Sequence, residues 1–232
     1  RNDNLTNRYQ GVQFGYTSAG RYTSWNDIWS YPGYKERDIL PGDYKYEDWN
    51  GDGEINGQDE HPFAFDQTPW LQFSLNAGLQ WKNLDFNMLL QGSALGSMEY
   101  KEPLHEIWGK NGGGALKQFL DRWHPVDPKA DPYDPSTVWT SGHYAYTGRW
   151  AKNNSAFNRV STAYLRLKSI ELGYTFPKLK QIPNASLRIY ANAYNLLTFT
   201  GVKFVDPEHP DDDLGRMYPL NKTYTLGVSL SF

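Results

Sequence analysis

The chain has 232 residues, with 23 Lys and Arg against 26 Asp and Glu, a formal net charge of -3 and no cysteine. This length suits one large domain or two small ones. The charge balance excludes nucleic acid as the expected partner, and the lack of thiols excludes disulfide frameworks, thiolate zinc sites and cysteine nucleophiles. Aromatic residues make up 16% and mean hydropathy is -0.72. No apolar run reaches the roughly 18 residues a spanning helix needs, whereas a membrane barrel shows lipid only every second strand residue and stays polar on average.

Residues 1–69 carry no sustained period-two pattern and are read as mostly external loop. Within them, Asp48-Trp49-Asn50-Gly51-Asp52-Gly53-Glu54-Ile55-Asn56-Gly57-Gln58-Asp59 has the spacing of a calcium loop. Asp48, Asn50 and Asp52 bring side-chain oxygens at positions 1, 3 and 5. Gly53 permits the sharp turn, Glu54 offers its carbonyl, and Asp59 stands where a bidentate Glu is usual. The expectation is a structural Ca²⁺ ion. The alternative is an Asx/Gly turn that satisfies its own backbone. Pro41-Gly42 before the loop and Pro62 after it argue against flanking helices.

A hairpin follows over 70–92. In 70–81, Leu71, Phe73, Leu75, Ala77, Leu79 and Trp81 alternate with Gln72, Ser74, Asn76, Gly78 and Gln80. In 84–92, Leu84, Phe86, Met88 and Leu90 oppose Asp85, Asn87 and Gln91. Period-two alternation is the mark of a two-faced strand. Residues 93–161 read as a long external loop, and 162–232 as three more strands. In 162–176, Ile170, Leu172, Tyr174 and Phe176 share parity with Arg166 and Lys168. Either those two cations lie outside the apolar band, which is the expectation, or a bulge near Ser169 flips the register. In 185–200, Leu187, Ile189, Ala191, Ala193, Leu197 and Phe199 alternate with Arg188, Asn192 and Tyr194. In 223–232, Tyr224, Leu226, Val228, Leu230 and Phe232 form one face. All fourteen prolines fall outside these five segments, as ladder hydrogen bonding requires.

The connections alternate between short (82–83 and 177–183) and long (93–161 and 201–220), the pattern of an outer-membrane barrel with short periplasmic turns and long external loops. That reading makes the apolar faces lipid-facing, and Gln72, Asn76, Gln80, Asn87, Arg188 and Asn192 lumen-facing. A soluble, calcium-stabilised β-sandwich binding module is the alternative, since a packed core also produces alternation. Trp25, Trp29, Trp49, Trp108, Trp123, Trp139 and Trp150 lie in the loops, where they suit stacking on sugar rings or peptide side chains, or else loop cores. The acidic run 206–213 reads as a solvated surface. The five histidines lack metal-ligand spacing, and there is no nucleophile elbow or phosphate-binding loop; Asn111-Gly112-Gly113-Gly114 follows no strand. No enzyme activity is expected.

Several stretches, taken in order, resemble the C-terminal part of SusC/RagA-type TonB-dependent transporters of Bacteroidetes. They are Pro41-Gly42-Asp43 leading into Asp48 to Gly53, Asn83 to Phe86 with Leu90-Gln91-Gly92, Arg122-Trp123-His124-Pro125, Tyr164 to Pro177, Leu187 to Tyr190 with Asn195 to Thr198, and Tyr224 to Phe232. The resemblance covers about residues 41–232. It implies an all-β fold, with about five to six strands and long external loops forming a segment of a 22-stranded transmembrane barrel. A plug domain and TonB box would lie elsewhere in a longer protein. It further implies a multi-pass outer-membrane location and import of oligosaccharide or peptide with a SusD-like surface lipoprotein, energised through TonB. The strand Tyr224, Leu226, Val228, Leu230 and Phe232 would be read by the barrel assembly machinery.

Overall fold

The computed structural model describes residues 6–34, 38–101, 104–105, 115–146, 154–177, 185–210 and 215–232. Trp108, Trp150, the Asn111 to Gly114 run, residues 178–183 of the short connection, and Asp211 to Asp213 lie outside them. The chain divides into two units. One comprises Arg1–Asp66, Ser97–Val160 and Asp211–Arg216; the other comprises Gln67–Gly96, Ser161–Pro210 and Met217–Phe232.

The second unit is a five-stranded antiparallel meander. Its strands are β1 (Leu71–Trp81), β2 (Leu84–Ala94), β3 (Tyr164–Phe176), β4 (Ser186–Thr200) and β5 (Thr223–Ser231), in the spatial order β5-β4-β3-β2-β1. These are the five segments whose alternation the sequence displays. The β1–β2 turn is only Lys82-Asn83, and Lys82 adopts φ 56°, the left-handed conformation that tight hairpins demand. The five strands form one sheet rather than the two packed sheets of a sandwich, so the alternation does not reflect a sandwich core.

The expected position of Arg166 and Lys168 is corrected by the register. Leu167 pairs with Leu90 and Ser169 with Leu89, which leaves Lys168 as an extra residue in β3. This bulge reverses the parity. Leu165 and Leu167 join the row of Ile170 and Leu172, while Arg166 faces Gln91 and Thr198 on the opposite row. A cation among apolar neighbours is thereby avoided by one inserted residue.

The first unit is built from short strands around aromatic rings. Gln13–Gly15 pairs with His61–Ala64, Ser18–Arg21 with Tyr44–Tyr46, and His124–Pro125 with Trp139–Thr140. Tyr16, Tyr22, Tyr34, Tyr44, Tyr46, Ile55 and Ala145 form the core. Tyrosine serves here because each ring buries a large area while its hydroxyl reaches a carbonyl, as Tyr22 does to Pro32 (2.8 Å) and Tyr31 to Tyr46 (3.1 Å). The helix Trp25–Ser30 is capped by Ser24 Oγ, which accepts from the Asp27 N–H. Pro41-Gly42-Asp43 makes a buried turn. Gly42 has φ +91°, and an added Cβ would stand 2.3 Å from Trp123 Cγ, so the ring of Trp123 occupies the space that only glycine leaves.

Candidate functional site

The candidate site is the sheet with its two chemically opposite rows. Directly paired residues project from the same face of a sheet. On one face the pairs are Phe73 with Gly92, Leu75 with Leu90, Leu79 with Phe86, Leu172 with Phe86 and with Ala191, Ile189 with Val228, and Ala191 with Leu226. No described element packs over this row as a core: Leu75 is 57% and Leu226 84% exposed. The five residues Tyr224, Leu226, Val228, Leu230 and Phe232 are all exposed, and the first four share this row through Ala193, Ala191, Ile189 and Leu187. Ala191 and Ala193, flanked by Ile170, Leu172, Tyr224 and Leu226, leave a shallow apolar groove of about 520 Å³.

The opposite row is polar. Gln72 pairs with Ser93, Asn76 with Leu89, Gly78 with Asn87, and Gln80 with Asp85. Arg188 pairs with Thr175 and Ser229, and Asn192 with Glu171 and Thr225. The six side chains expected on one face therefore share one row, with Leu89 as an apolar exception between them. They do not form a single cluster. Arg188 and Asn192 are brought together by Glu171, a residue the sequence pattern did not single out.

That cluster spans three strands. Arg188 Nη2 lies 2.5 Å from Asp85 Oδ2 on β2 and 2.6 Å from Glu171 Oε1 on β3, and Nε donates to Asp85 Oδ1 at 3.1 Å. The Asn192 amide donates to Glu171 Oε2 at 3.4 Å, and the guanidinium lies 4.7 Å from the Tyr190 ring centroid. Arg188 reaches β2 across β3 because Gly173 lies in its path. A Cβ there would stand 2.5 Å from Nη2 and 2.7 Å from both Asp85 carboxylate oxygens. Two carboxylates against one guanidinium leave the cluster with one net negative charge. Charge-assisted bonds of this geometry are the stronger kind and fix three strands in register.

A second ionic group sits on the same unit. Arg166, only 2% exposed, meets Asp206 Oδ1 (2.7 Å) and Glu208 Oε1 (3.0 Å), and Lys168 Nζ meets Glu208 Oε2 (2.9 Å). The acidic run expected as solvated surface is thus, at Asp206 and Glu208, an ion-paired one. The parity break between Leu167 and Ile170 was the available sequence signal for it.

In the first unit, the calcium-type loop folds as a set of side-chain caps. Asp48 Oδ1 accepts from the Gly51 (2.8 Å) and Asp52 (3.2 Å) N–H groups, and Oδ2 from Gly53 (2.9 Å). Asp52 accepts from the Glu54 N–H and the Asn50 amide, each at 2.9 Å. Asp59, fully buried, accepts from the N–H groups of Trp49 (3.0 Å) and Asn56 (2.8 Å). Glu54 is half-buried, and its carbonyl accepts from Asn56 Nδ2 at 3.4 Å. Among the described residues no group of three or more His, Asp or Glu side chains is placed to hold a metal ion. Beside this loop the half-exposed Trp49 stacks on buried His61, with centroids 3.8 Å apart and planes at 14°. Trp25 and Trp29 contact each other, Trp123 is buried, and Trp139 meets Tyr146 edge-on. The Lys45 ammonium lies 2.7 Å from Asp27 and 3.9 Å from the Tyr31 centroid. The hydrogen bond from Lys45 holds the Asp27 carboxyl below its ordinary range.

No family model matches the chain. Two curated proteins of Formosa agariphila are similar to it. TonB-dependent receptor P3 is 28% identical over 211 residues, covering 84% of this chain and 19% of the relative. TonB-dependent receptor P26 is 27% identical over 239 residues, covering 97% and 22%. Solved structures of the RagAB peptide transporter (TM-score 0.63, 20% identity) and of the RagAB peptide importer in the 'closed-closed' state (TM-score 0.60, 20% identity) match 95% and 94% of the chain, and 22% and 23% of theirs. The chain thus spans about a fifth of the length of the curated relatives it matches. An antiparallel meander with one apolar and one polar row is thus similar over most of the chain to two TonB-dependent receptors and shares the fold of a stretch of the RagAB β-barrel structures, a likeness to part of a SusC/RagA-type TonB-dependent transporter.

Proposed function

We propose that the whole protein imports a nutrient, oligosaccharide or peptide, across a bacterial outer membrane without chemically changing it. The observation that carries this is the sorting of side chains over five strands. An exposed apolar row backs onto a polar row that is exposed along β1 and ion-paired at Arg166 and Arg188, which suits lipid on one side and a wet lumen on the other. In this reading Gln72, Asn76, Gln80, Asn87, Arg188 and Asn192 line the lumen, and the loops of the first unit lie outside the cell. A SusD-like lipoprotein covers the external side, and TonB energises the transporter through parts beyond this chain. The apolar row of β5 is the surface offered to the assembly machinery. The relatives' names, receptors and a peptide importer, support transport as the class and a peptide as one cargo type.

The test places single cysteines along β1 in a cysteine-free full-length protein in outer-membrane vesicles. Cysteines at 72, 76 and 80 should react with a charged, membrane-impermeant maleimide. Those at 71, 75 and 79 should resist it and, once carrying a fluorophore, be quenched by nitroxide-labelled lipid. Equal reactivity of both sets refutes the reading. Growth of a deletion strain on defined oligosaccharides or on peptides as sole nutrient then separates the cargo classes.

For the loop 48–59 we propose a structural Ca²⁺. A carboxylate offers about four acceptor sites, and Asp52 uses two of its own on the loop, so capacity remains. Binding would draw Asp52 and Asp59 from these amides toward a common point. Calorimetry with Ca²⁺ and calcium-dependent protection from proteolysis, both lost in Asp48→Ala, are the expected outcomes. Absence of both in the parent protein overturns the proposal.

A further inference from the structure

We propose that the two arms of the β4–β5 connection, residues 201–210 and 217–222, are locked to the polar row of β3 and keep one position through the transport cycle, which makes them a fixed wall of the passage. This rests on the reading of the chain as part of an outer-membrane importer.

The lock is built from both ends of the connection. Asp206 Oδ1 meets Arg166 Nη2 at 2.7 Å and also accepts the Glu208 N–H at 3.0 Å, while its Oδ2 accepts the Leu220 N–H at 3.4 Å. One carboxylate therefore ties the outgoing arm, the returning arm and β3 together. Glu208 adds a second link: Arg166 Nη1 lies 3.0 Å from its Oε1, and Lys168 Nζ lies 2.9 Å from its Oε2. The Gln67 amide donates to the Pro210 carbonyl at 3.3 Å, which holds the arm farther along. The two cations balance the two carboxylates, so the network carries no net charge.

Burial makes the lock hard to open. Among the described residues Arg166 heads the fully buried large side chains, and Asp206 is 9% exposed at its side chain. Swinging the arms away would part three charge-assisted contacts at once, Arg166 to Asp206, Arg166 to Glu208 and Lys168 to Glu208, which is costlier than parting one exposed pair. The bulge is the part that makes this possible. Unbroken alternation in β3 would put Arg166 and Lys168 in the row of Ile170 and Leu172. The one extra residue moves Arg166 to the other face, opposite Thr198 and Gln91, under the arms. Bulges re-aim side chains at strand ends in this way. The sequence devotes two cations, two anions and a register fault to holding one connection, which a freely swinging element does not require.

Tyr218, on the returning arm, is 78% exposed and gives a labelling position outside the network. The test attaches a nitroxide to Tyr218→Cys in a cysteine-free full-length transporter in outer-membrane vesicles and records its electron paramagnetic resonance spectrum. The parent should give a broad, slow-motion spectrum. Arg166→Gln and the double variant Asp206→Asn/Glu208→Gln should each convert it to a narrow, fast-motion one. A mobile label in the parent, or a spectrum unmoved by the double variant, overturns the proposal. If both variants fail to assemble, the parent spectrum decides it. A failed maleimide pattern along β1 would instead refute the membrane reading and leave the lock standing as a property of the fold.

Discussion

Replacing Leu75 by Arg, and separately its chain neighbour Asn76 by Arg, puts the same charge on opposite rows of β1. The strand has 11 residues. At about 3.4 Å per residue and a tilt of roughly 35–45°, it spans a height of about 24–28 Å, close to the ~25 Å apolar band of a membrane barrel. Leu75 is the fifth residue, about 10 Å into that height and near its middle. Arg at the midplane of a lipid-facing row costs about 2–4 kcal/mol, whereas a lumen position tolerates it. At about 1.4 kcal/mol per tenfold, Leu75→Arg should shift the folding equilibrium by roughly 25- to 700-fold and Asn76→Arg by less than about fivefold. The assay is a urea titration of the full-length transporter in lipid vesicles, with the folded fraction read from its heat-modifiable electrophoretic band. Equal midpoints for the two variants, or a larger loss for Asn76→Arg, would refute the assignment of rows to lipid and lumen.

Gly173→Val should push the Arg188 guanidinium off Asp85, since its Cβ would fall 2.5 Å from Nη2. The expected loss is about 1–3 kcal/mol, seen as a lower urea midpoint. Lys168→Ala removes one part-exposed ion pair and should cost no more than about 1 kcal/mol. Deleting Lys168 leaves Leu167 beside Ser169, a regular ladder against Leu90 and Leu89 in which Arg166 keeps its row, so the deletion should cost little more than Lys168→Ala; a deletion variant that loses the folded band would contradict the reading of Lys168 as the extra residue. Asp27 titrates below its unfolded value because Lys45 donates to it. Its contribution is therefore present above the unfolded carboxylate range and is lost as pH falls through the lower folded value, below about pH 4. Asp27→Asn should flatten that part of the acid limb in melts of the protein between pH 2.5 and 5, by less than about 1 kcal/mol for a partly exposed pair.

The five long strands were legible because their signal is local: Leu71 to Trp81 and Leu84 to Leu90 announce their faces two residues at a time. The Asx caps of loop 48–59 were legible as the alternative to a calcium ion, because Asp48, Asn50 and Asp52 sit within bonding reach of the N–H groups that follow them. Pairing across distance was not. The joining of β2 to β3 spans a connection that no local pattern encodes, and the meeting of Asp85, Glu171 and Arg188 depends on register in two ladders at once. Gly173 alone gives no hint that an arginine crosses it. The bulge was half-legible. The sequence shows Leu165 and Leu167 out of phase with Ile170, but a parity break fits either an extra residue or a strand leaving the membrane, and only the ladder partners Leu90 and Leu89 distinguish these. The short strands of the first unit, Gln13–Gly15 among them, have too few residues to show a period at all.

The sheet order leaves β1 and β5 at its margins. Along each outer margin, about every second residue presents a backbone N–H and C=O to no ladder partner within the sheet. In hydrocarbon each such group costs several kcal/mol, so two raw margins together outweigh the whole stability of an ordinary domain. These strands are therefore competent in a membrane only as an interior course of a larger closed wall. Produced alone in water, the same margins, flanked by a bare apolar row, are templates for recruiting further copies. Expression of these 232 residues by themselves should yield stacked, thioflavin-positive material, and attempts to study the stretch in isolation would report on its hunger for neighbours rather than on the transporter.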